Sequence, residues 1–387
     1  MIGESLLAAA AGSMLVAAHP FVTYPASLRL LAKWRARPLQ PVVSSAPVSA
    51  AMCVCAYNEE RVIAAKIENM LSLQAGMPNL ELLVYVDGAS DRTAEIVAGY
   101  GDRVRLVASP KRLGKSHGMN LLVGMTQAEF LVFSDANVTF DADALPRLLG
   151  AFADPEVGCV CGHLIYTSPD DTATAATGSL YWRLEEAIKR LESETGSVMG
   201  ADGSIFALRR ALHVPPPPDL IDDMFVSLQV LCGGHRVVRV GDAYAYEEAV
   251  SRPAEEFRRK VRIGCQSFNV HRALWPRLRL LPLVDRYKYV SHKLLRWLTV
   301  FFLAAAAICF AGGLGALLGW RFGVGMMAVY ALGGLLVAMS TSGKLATLRD
   351  ILGAFVSTGI GVMRSLRGDR FQTWNPPASA RGLAVER

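Results

Sequence analysis

The sequence predicts an α/β protein: a mostly parallel sheet flanked by helices, with membrane-spanning helices towards both its N- and C-terminal ends. Three observations carry this. Strand-like and helix-like segments alternate between residues 50 and 135, acidic residues stand at the strand ends, and two long uncharged runs follow towards the C-terminus. The 387 residues are 52% hydrophobic and 19% charged, against about 25% charged in ordinary soluble domains. That composition excludes a disordered chain and argues against a wholly soluble one.

A first strand begins at Ala46-Pro47 and runs through residues 50–56. Between Glu59 and Leu73, the apolar residues Val62, Ile63, Ile67, Met70 and Leu71 recur at helical spacing. A second strand, 80–86, ends at Asp87. A helix over 91–100 follows, capped by Ser90 or Asp91. Residues 104–107 are a third strand, 116–127 a helix, and 130–133 a fourth strand ending at Ser134-Asp135. Such alternation builds a parallel sheet covered on both faces, and these sheets bind ligands at the carboxyl ends of their strands. Asn58-Glu59, Asp87 and Asp135 all fall there. Beyond lie a helix over 177–194, a Gly-rich turn into a short strand at 200–207, a proline loop at 215–218, an acid-initiated helix over 219–230 and a basic amphipathic helix over 255–274.

Residues 297–320 and 322–343 contain no charge. Each exceeds the ~20 residues that cross ~30 Å of hydrocarbon, and Arg321 alone divides them, so they read as a membrane hairpin. A buried core hairpin is the rival reading. The third run, 351–363, rises only about 20 Å as a helix. Extending it buries Arg349 and Asp350 in lipid at high cost, so an interfacial or re-entrant helix is expected. Residues 5–28 are uncharged but broken by Pro20 and Pro25, and Arg29, Lys33, Arg35 and Arg37 follow. Their acidic start does not fit a secretory signal. Because basic flanks stay inside, this segment runs inward, and Arg364, Arg367, Arg370 and Arg381 return to the same side. The expected organisation is a membrane segment with its basic flank (1–37), a cytoplasmic domain (38–250), amphipathic interfacial helices (251–296), the hairpin (297–343), and an interfacial or re-entrant helix with a cytoplasmic tail (344–387). Trp275, Trp297 and Trp320 stand where interface anchors belong.

A net charge of +6 admits nucleic acid, anionic lipid or a phosphorylated substrate as partner. Cys53-x-Cys55 and Cys159-x-Cys161 lie in strand-like runs and read as core residues. A four-thiolate zinc site is the rival, disfavoured because such ligands usually sit in loops. Residues 109–116 nearly fit the phosphate-binding loop G-x-x-x-x-G-K-[ST]. Ser109 and rigid Pro110 stand where its tight wrap needs glycine, which counts against an ATPase or kinase. His117, His163, His213 and His235 lack metal-ligand spacing.

Five segments then stand in a telling order: Ala56-Tyr57-Asn58-Glu59-Glu60, Asp87-Gly88-Ala89-Ser90-Asp91-Arg92-Thr93, Gly114-Lys115-Ser116-His117-Gly118-Met119-Asn120, Ser134-Asp135-Ala136-Asn137 and Leu220-Ile221-Asp222-Asp223. Together, over about residues 48–275, they resemble the P-x-Y-N-E, D-G-S-x-D-x-T, G-K-x-x-A-L-N, D-x-D and paired-acid motifs of membrane-embedded family 2 glycosyltransferases with a GT-A fold. The resemblance implies that Tyr57, Glu59 and Asp87 hold the base and ribose of a nucleotide sugar, with Lys115 near the nucleotide and Arg262 near the diphosphate. Asp135 would bind the nucleotide and, with Asn137, Mg²⁺ or Mn²⁺. Asp223, or secondarily Asp222, would be the catalytic base, and Asp202 and Gly203 would border the donor sugar or acceptor. Helix capping by Glu59 and Asp91, and a merely solvated Lys115, are the plainer readings.

Two departures matter. Asn137 replaces a second carboxylate. The stretch Arg258-Arg259-Lys260-Val261-Arg262-Ile263 stands where polymerising members carry Q-x-x-R-W, so Arg259 and Ile263 replace Gln and Trp; Arg258 and Lys260 are the basics expected to meet anionic headgroups. Trp374-Asn375-Pro376-Pro377 resembles the family's terminal W-x-P. The resemblance implies an inverting transferase of the inner membrane, multi-pass with its catalytic domain cytoplasmic. Its expected partners are a nucleotide-sugar donor, UDP-linked by that resemblance, a lipid-linked or polysaccharide acceptor and membrane lipids, with no nucleic acid. A processive polysaccharide synthase that extrudes its product, and a non-catalytic membrane scaffold, are the alternatives.

Overall fold

The structure, a computed structural model, describes residues 1–39, 49–167, 173–248 and 253–373. Helices α1 (Ile2–Ala18) and α2 (Thr23–Arg35) come first and meet at a 57° bend. Pro20 lies in the break, and Pro25 in the first turn of α2, where its missing N–H costs no helical bond.

The sheet then builds up through β1 (Ala50–Ala56), α3 (Ile63–Gly76), β2 (Leu80–Asp87), α4 (Thr93–Ala98), β3 (Arg105–Ser109), α5 (Lys115–Gly124) and β4 (Phe130–Asp135). It continues through β5 (Val138–Phe140), α6 (Ala144–Gly150), β6 (Val157–Thr167), α7 (Ala173–Glu194), β7 (Ile205–Arg209), α8 (Asp222–Cys232) and β8 (Arg236–Glu248). The strand order is β3-β2-β1-β4-β7-β6-β8-β5. β3, β2, β1 and β4 run parallel, as the alternation predicts, and so do β6 and β8. β7 is antiparallel to both of its neighbours, and the edge strand β5 is antiparallel to β8. The Gly-rich turn before β7 delivers Ile205 opposite Ser134, so β7 starts where β4 ends and must run back. That reversal brings Asp202 to Ser204 to the same rim as Asp135.

Every residue of β1 is buried. Met52 and Val54 face one apolar layer with Ile63, Ile67, Val84 and Val132. Cys53 and Cys55 face the other, with Leu83, Met119, Phe133 and Phe206. A strand covered on both faces reads as one continuous apolar run. Burial pushes the thiols of Cys53, Cys55, Cys159 and Cys161 up. β4 and β7 separate the two cysteine strands, and among the described residues no three His, Cys, Asp or Glu side chains gather into a metal cage. The core reading of these cysteines is the one the geometry supports.

α9 (Pro253–Leu278) leads to a continuous helical stretch, Leu283–Leu318, made of α10 (Leu283–Tyr289), a π turn at Val290–Leu294 and α11 (Leu295–Leu318). With α12 (Trp320–Met339) and α13 (Gly343–Leu366), this stretch gives three helices among the described residues that are long and apolar enough to cross a membrane; the bent α1–α2 pair would be a fourth. α1 runs antiparallel along α11, with Gly3 against Leu317 and the His19 ring bonded to Ser291 at 2.9 Å. α13 is longer than the 351–363 run because residues 343–350 continue it, with Arg349 held by Asp350 at 2.8 Å and by the Ser340 carbonyl at 2.6 Å. It lies along α9, where Ser365 donates to Asn269 at 2.6 Å and Arg272 to the Ser365 carbonyl. Ala46-Pro47, Trp374-Asn375-Pro376-Pro377 and Arg381 lie outside the described residues.

Candidate active site

β1, β2 and β4 end at one rim, and their loops interlock. Asn58, at φ +52°, accepts the Ser90 N–H at 2.8 Å. The buried Glu59 donates its N–H to Thr93 Oγ1 at 2.8 Å, and its carbonyl accepts from Val62 and Ile63 at the start of α3. Asp91 accepts from the Thr93 N–H at 3.0 Å and the Glu60 N–H at 3.1 Å. Asp91 is thus a turn-and-cap residue, the plainer of its two readings.

Asp87 is fully buried. Its Oδ1 accepts from the Leu113 N–H at 2.7 Å, the Gly114 N–H at 3.1 Å and the Tyr85 hydroxyl at 3.1 Å. Its carboxylate therefore fixes the loop that enters α5. This also removes the phosphate-loop resemblance, since two amides such a loop turns towards phosphate point at Asp87 instead. Only glycine serves at 114, where φ is +93° and an added Cβ would meet the Gln372 carbonyl at 2.2 Å. On the same loop, the Arg112 guanidinium lies 3.6 Å from the centre of the Tyr57 ring, a cation–π stack.

Lys115 opens α5. Its Nζ lies 2.7 Å from Asp135 Oδ1 and 3.6 Å from Asp222 Oδ2. Burial alone would lower its pKa, but Asp135, Asp222 and Asp223 outweigh that and hold it above the usual range. Ser204 donates to Asp135 Oδ2 at 3.4 Å. Asp222 is buried, and among the described residues its Oδ2 has no hydrogen-bond donor. Asp223 accepts the Met224 N–H at 2.5 Å. Gly203 packs against its other oxygen so closely that a Cβ would come within 2.5 Å. Burial, then the Asp222 charge, push Asp223 up to about 7 against the opposing pull of Lys115. Asp202 accepts from the Ser204 N–H at 3.2 Å and from Lys189 at 3.3 Å.

Asn137 donates to Glu247 Oε1 at 3.0 Å. Burial, then Asp135, push Glu247 up to about 7, with Arg259 opposing. On α9, Arg262 donates to Gln266 at 3.0 Å. Burial and Arg259 lower its pKa, while Asp135 and Asp223, both within electrostatic reach, favour its charged form.

Lys115, Asp135, Asp222, Asp223, Asp202, Gly203 and Arg262 thus come together, with Asn137 on the adjoining turn. Tyr57, Glu59 and Asp87 line the neighbouring loops. Sequence reasoning missed Ser204, Glu247 and Lys66. Lys66 is buried beneath the site and donates at 2.7 Å to both Ser134 Oγ and the Val138 carbonyl, bracketing the Asp135–Asn137 turn. Its signal was a lysine three residues after Ile63 on the apolar stripe of α3. Glu247 had no local signal, because sheet register alone pairs it with Val138. Chemically, the rim offers cationic groups for a polyanion and a carboxylate titrating near neutrality, which suits proton abstraction from a hydroxyl.

Comparison with known proteins agrees with this architecture. Residues 52–214 match the family model for glycosyl transferase family 2. An N-acetylglucosaminyltransferase of Rhizobium meliloti is 25% identical over 232 residues, 54% of this chain and 54% of that protein. A poly-beta-1,6-N-acetyl-D-glucosamine synthase of Staphylococcus epidermidis is 26% identical over 155 residues, 39% of this chain and 37% of that one. The chain thus spans about half the length, or less, of these relatives. The mannosyltransferase PcManGT from Pyrobaculum calidifontis, solved with GDP-Man and Mn²⁺, superposes with a TM-score of 0.72 at 20% identity, covering 93% of this chain and 99% of that one. Residues 52–214 thus resemble glycosyl transferase family 2, and they lie in a GT-A-like α/β fold that is followed, among the described residues, by three helices long and apolar enough to cross a membrane.

Proposed function

We propose that this chain is an inverting glycosyltransferase that moves a sugar from a nucleotide sugar, UDP-linked, to a membrane-associated acceptor, a lipid-linked glycan in polysaccharide or glycolipid synthesis. The observation that carries the reading is Lys115 shared between Asp135 and Asp222, with Asp223 beside them, at the rim flanked by α9. In this reading Lys115 and Arg262 meet the diphosphate. Tyr57 and Glu59 border the base and ribose, and Asp87 holds the loop between them and Lys115. Asp223 takes the proton of the acceptor hydroxyl as that oxygen attacks the anomeric carbon from the face opposite the diphosphate, which inverts it. Asp222 stands second as base, and Asp202 and Gly203 border the sugar. The basic flanks of the apolar segments support a site at the cytoplasmic face of the inner membrane.

A divalent cation fits the residues present. Asp135 and Asn137 offer hard oxygen donors of the kind Mg²⁺ and Mn²⁺ take, usually one or two carboxylates completed by substrate phosphates. The buried Asp222 Oδ2, 3.6 Å from Lys115 Nζ and without a hydrogen-bond donor among the described residues, leaves acceptor capacity at the rim. Asp135 and Asn137 would hold the ion, and the chemistry it would supply there is neutralisation of negative charge on the diphosphate leaving group.

The relatives named as polysaccharide synthases support a second reading, a processive synthase. Ile263, where polymerising members carry an aromatic residue, speaks against it. The deciding experiment offers the purified chain a panel of UDP- and GDP-sugars with membrane lipid extract and sizes the products. Short, solvent-extractable glycolipid is the expected result. Long polymer would select the synthase, and no transfer from any donor would leave the scaffold.

A further inference from the structure

The turn Asp135-Ala136-Asn137 carries one carboxylate where its motif class carries two. We infer that the missing charge stands on another strand: Glu247 of β8 is the second anionic ligand of the cation site, acting together with Asp135 and the Asn137 carbonyl oxygen. This rests on the cation-assisted transferase reading above.

Sheet register carries the inference. β5 begins at Val138, directly after the turn, and pairs antiparallel with β8 so that Val138 lies opposite Glu247. The Asn137 amide nitrogen donates to Glu247 Oε1 at 3.0 Å. An amide has one donor end and one acceptor end. With its nitrogen committed to Glu247, the Asn137 oxygen is the end left to face a cation. The turn is also rigid. Lys66 bonds Ser134 on one side and Val138 on the other, each at 2.7 Å, and Asn69 bonds the N–H and carbonyl of Phe140 at 2.9 and 2.8 Å. A ligand set held this firmly does not have to be assembled when the substrate arrives. Two carboxylates, one amide oxygen and the phosphates of a substrate make a donor set of the kind Mg²⁺ and Mn²⁺ accept.

The test uses the full-length chain in detergent and reads Mn²⁺ binding directly, by electron paramagnetic resonance in the presence of UDP. Glu247→Gln keeps the bond from Asn137 but removes the charge. It should weaken Mn²⁺ binding by about 10- to 100-fold. The double variant Asn137→Asp with Glu247→Gln, which moves the carboxylate into the turn, should recover most of that loss. It also controls for a single variant that fails to fold. Wild-type Mn²⁺ affinity in folded Glu247→Gln would overturn the inference, as would a double variant that folds but binds no better than the single one. Transfer that persists in excess chelator, with no Mn²⁺ taken up by the wild type, would overturn the inference while sparing the transferase reading. Mn²⁺ uptake that depends on Glu247, with no transfer from any nucleotide sugar, would support the inference and remove the transferase reading.

Discussion

Among the described residues, the buried acids Glu185 and Glu192 at one site shift in the opposite direction from Asp223 and Glu247 at another. At the junction between α7 and the helical stretch Leu283–Leu318, Glu192 accepts from the Tyr24 hydroxyl, the His292 ring at 2.8 Å and the Met199 N–H at 3.1 Å. Glu185 pairs with His292 at 3.1 Å and with Arg296. Burial pushes both acids up, but His292, Arg296 and Lys293 outweigh it at Glu185, and His292 and Tyr24 do so at Glu192, so both lie below the usual carboxylate range. At the sheet rim, burial is reinforced by like charges, and Asp223 and Glu247 rise to about 7. The residue types and depths are similar, so the neighbours decide the outcome. The compensated cluster holds the helical stretch Leu283–Leu318 to α7. The under-compensated one is poised to exchange protons and to take up positive charge.

The sharpest way to break this contrast is Asp223→Asn. Transfer should fall by about 10³-fold or more, as for loss of a general base, while UDP binding measured by calorimetry stays within a few-fold. In the wild type, transfer should rise with pH through about 7 as Asp223 ionises. Stability should respond with the opposite sign. A carboxyl whose folded pKa lies above its usual 3.8 is most stabilising when protonated, and that contribution is lost as pH rises from about 4 through about 7. Asp223→Asn should therefore raise Tm above pH 7 and leave it unchanged well below pH 4. An unchanged rate in this variant would move the base elsewhere.

Next in size is Glu185→Gln at the junction. Removing one partner of a buried ion pair leaves cations uncompensated and costs about 3–5 kcal/mol. Thermal melting should fall steeply, while the fraction that stays folded keeps the wild-type dependence of rate on pH. A shifted pH profile would mean that the two clusters communicate. The smallest effect belongs to Asp91→Ala, which removes a turn-and-cap acceptor and should cost about 1 kcal/mol with nucleotide binding retained. A large loss of UDP affinity there would move Asp91 from scaffold to site.

Much of this was legible in the residues. Continuous apolar strands, acids at their tips and helical stripes between them specify the first four strands, because those signals lie within single elements. The uncharged runs specify the two long apolar helices α11 and α12 for the same reason. Asp135, Asp222 and Asp223 were legible because their motifs stand at element ends that the α/β architecture gathers at one rim. What only the tertiary structure decided involves partners far apart in sequence. The reversed direction of β7, the meeting of Glu247 with Asn137 and the bracing of the turn by Lys66 all depend on sheet register, which the local pattern does not encode. The same holds for charge. An aspartate in the sequence carries no record of whether a lysine or another aspartate will be buried beside it, and that neighbour sets its proton affinity.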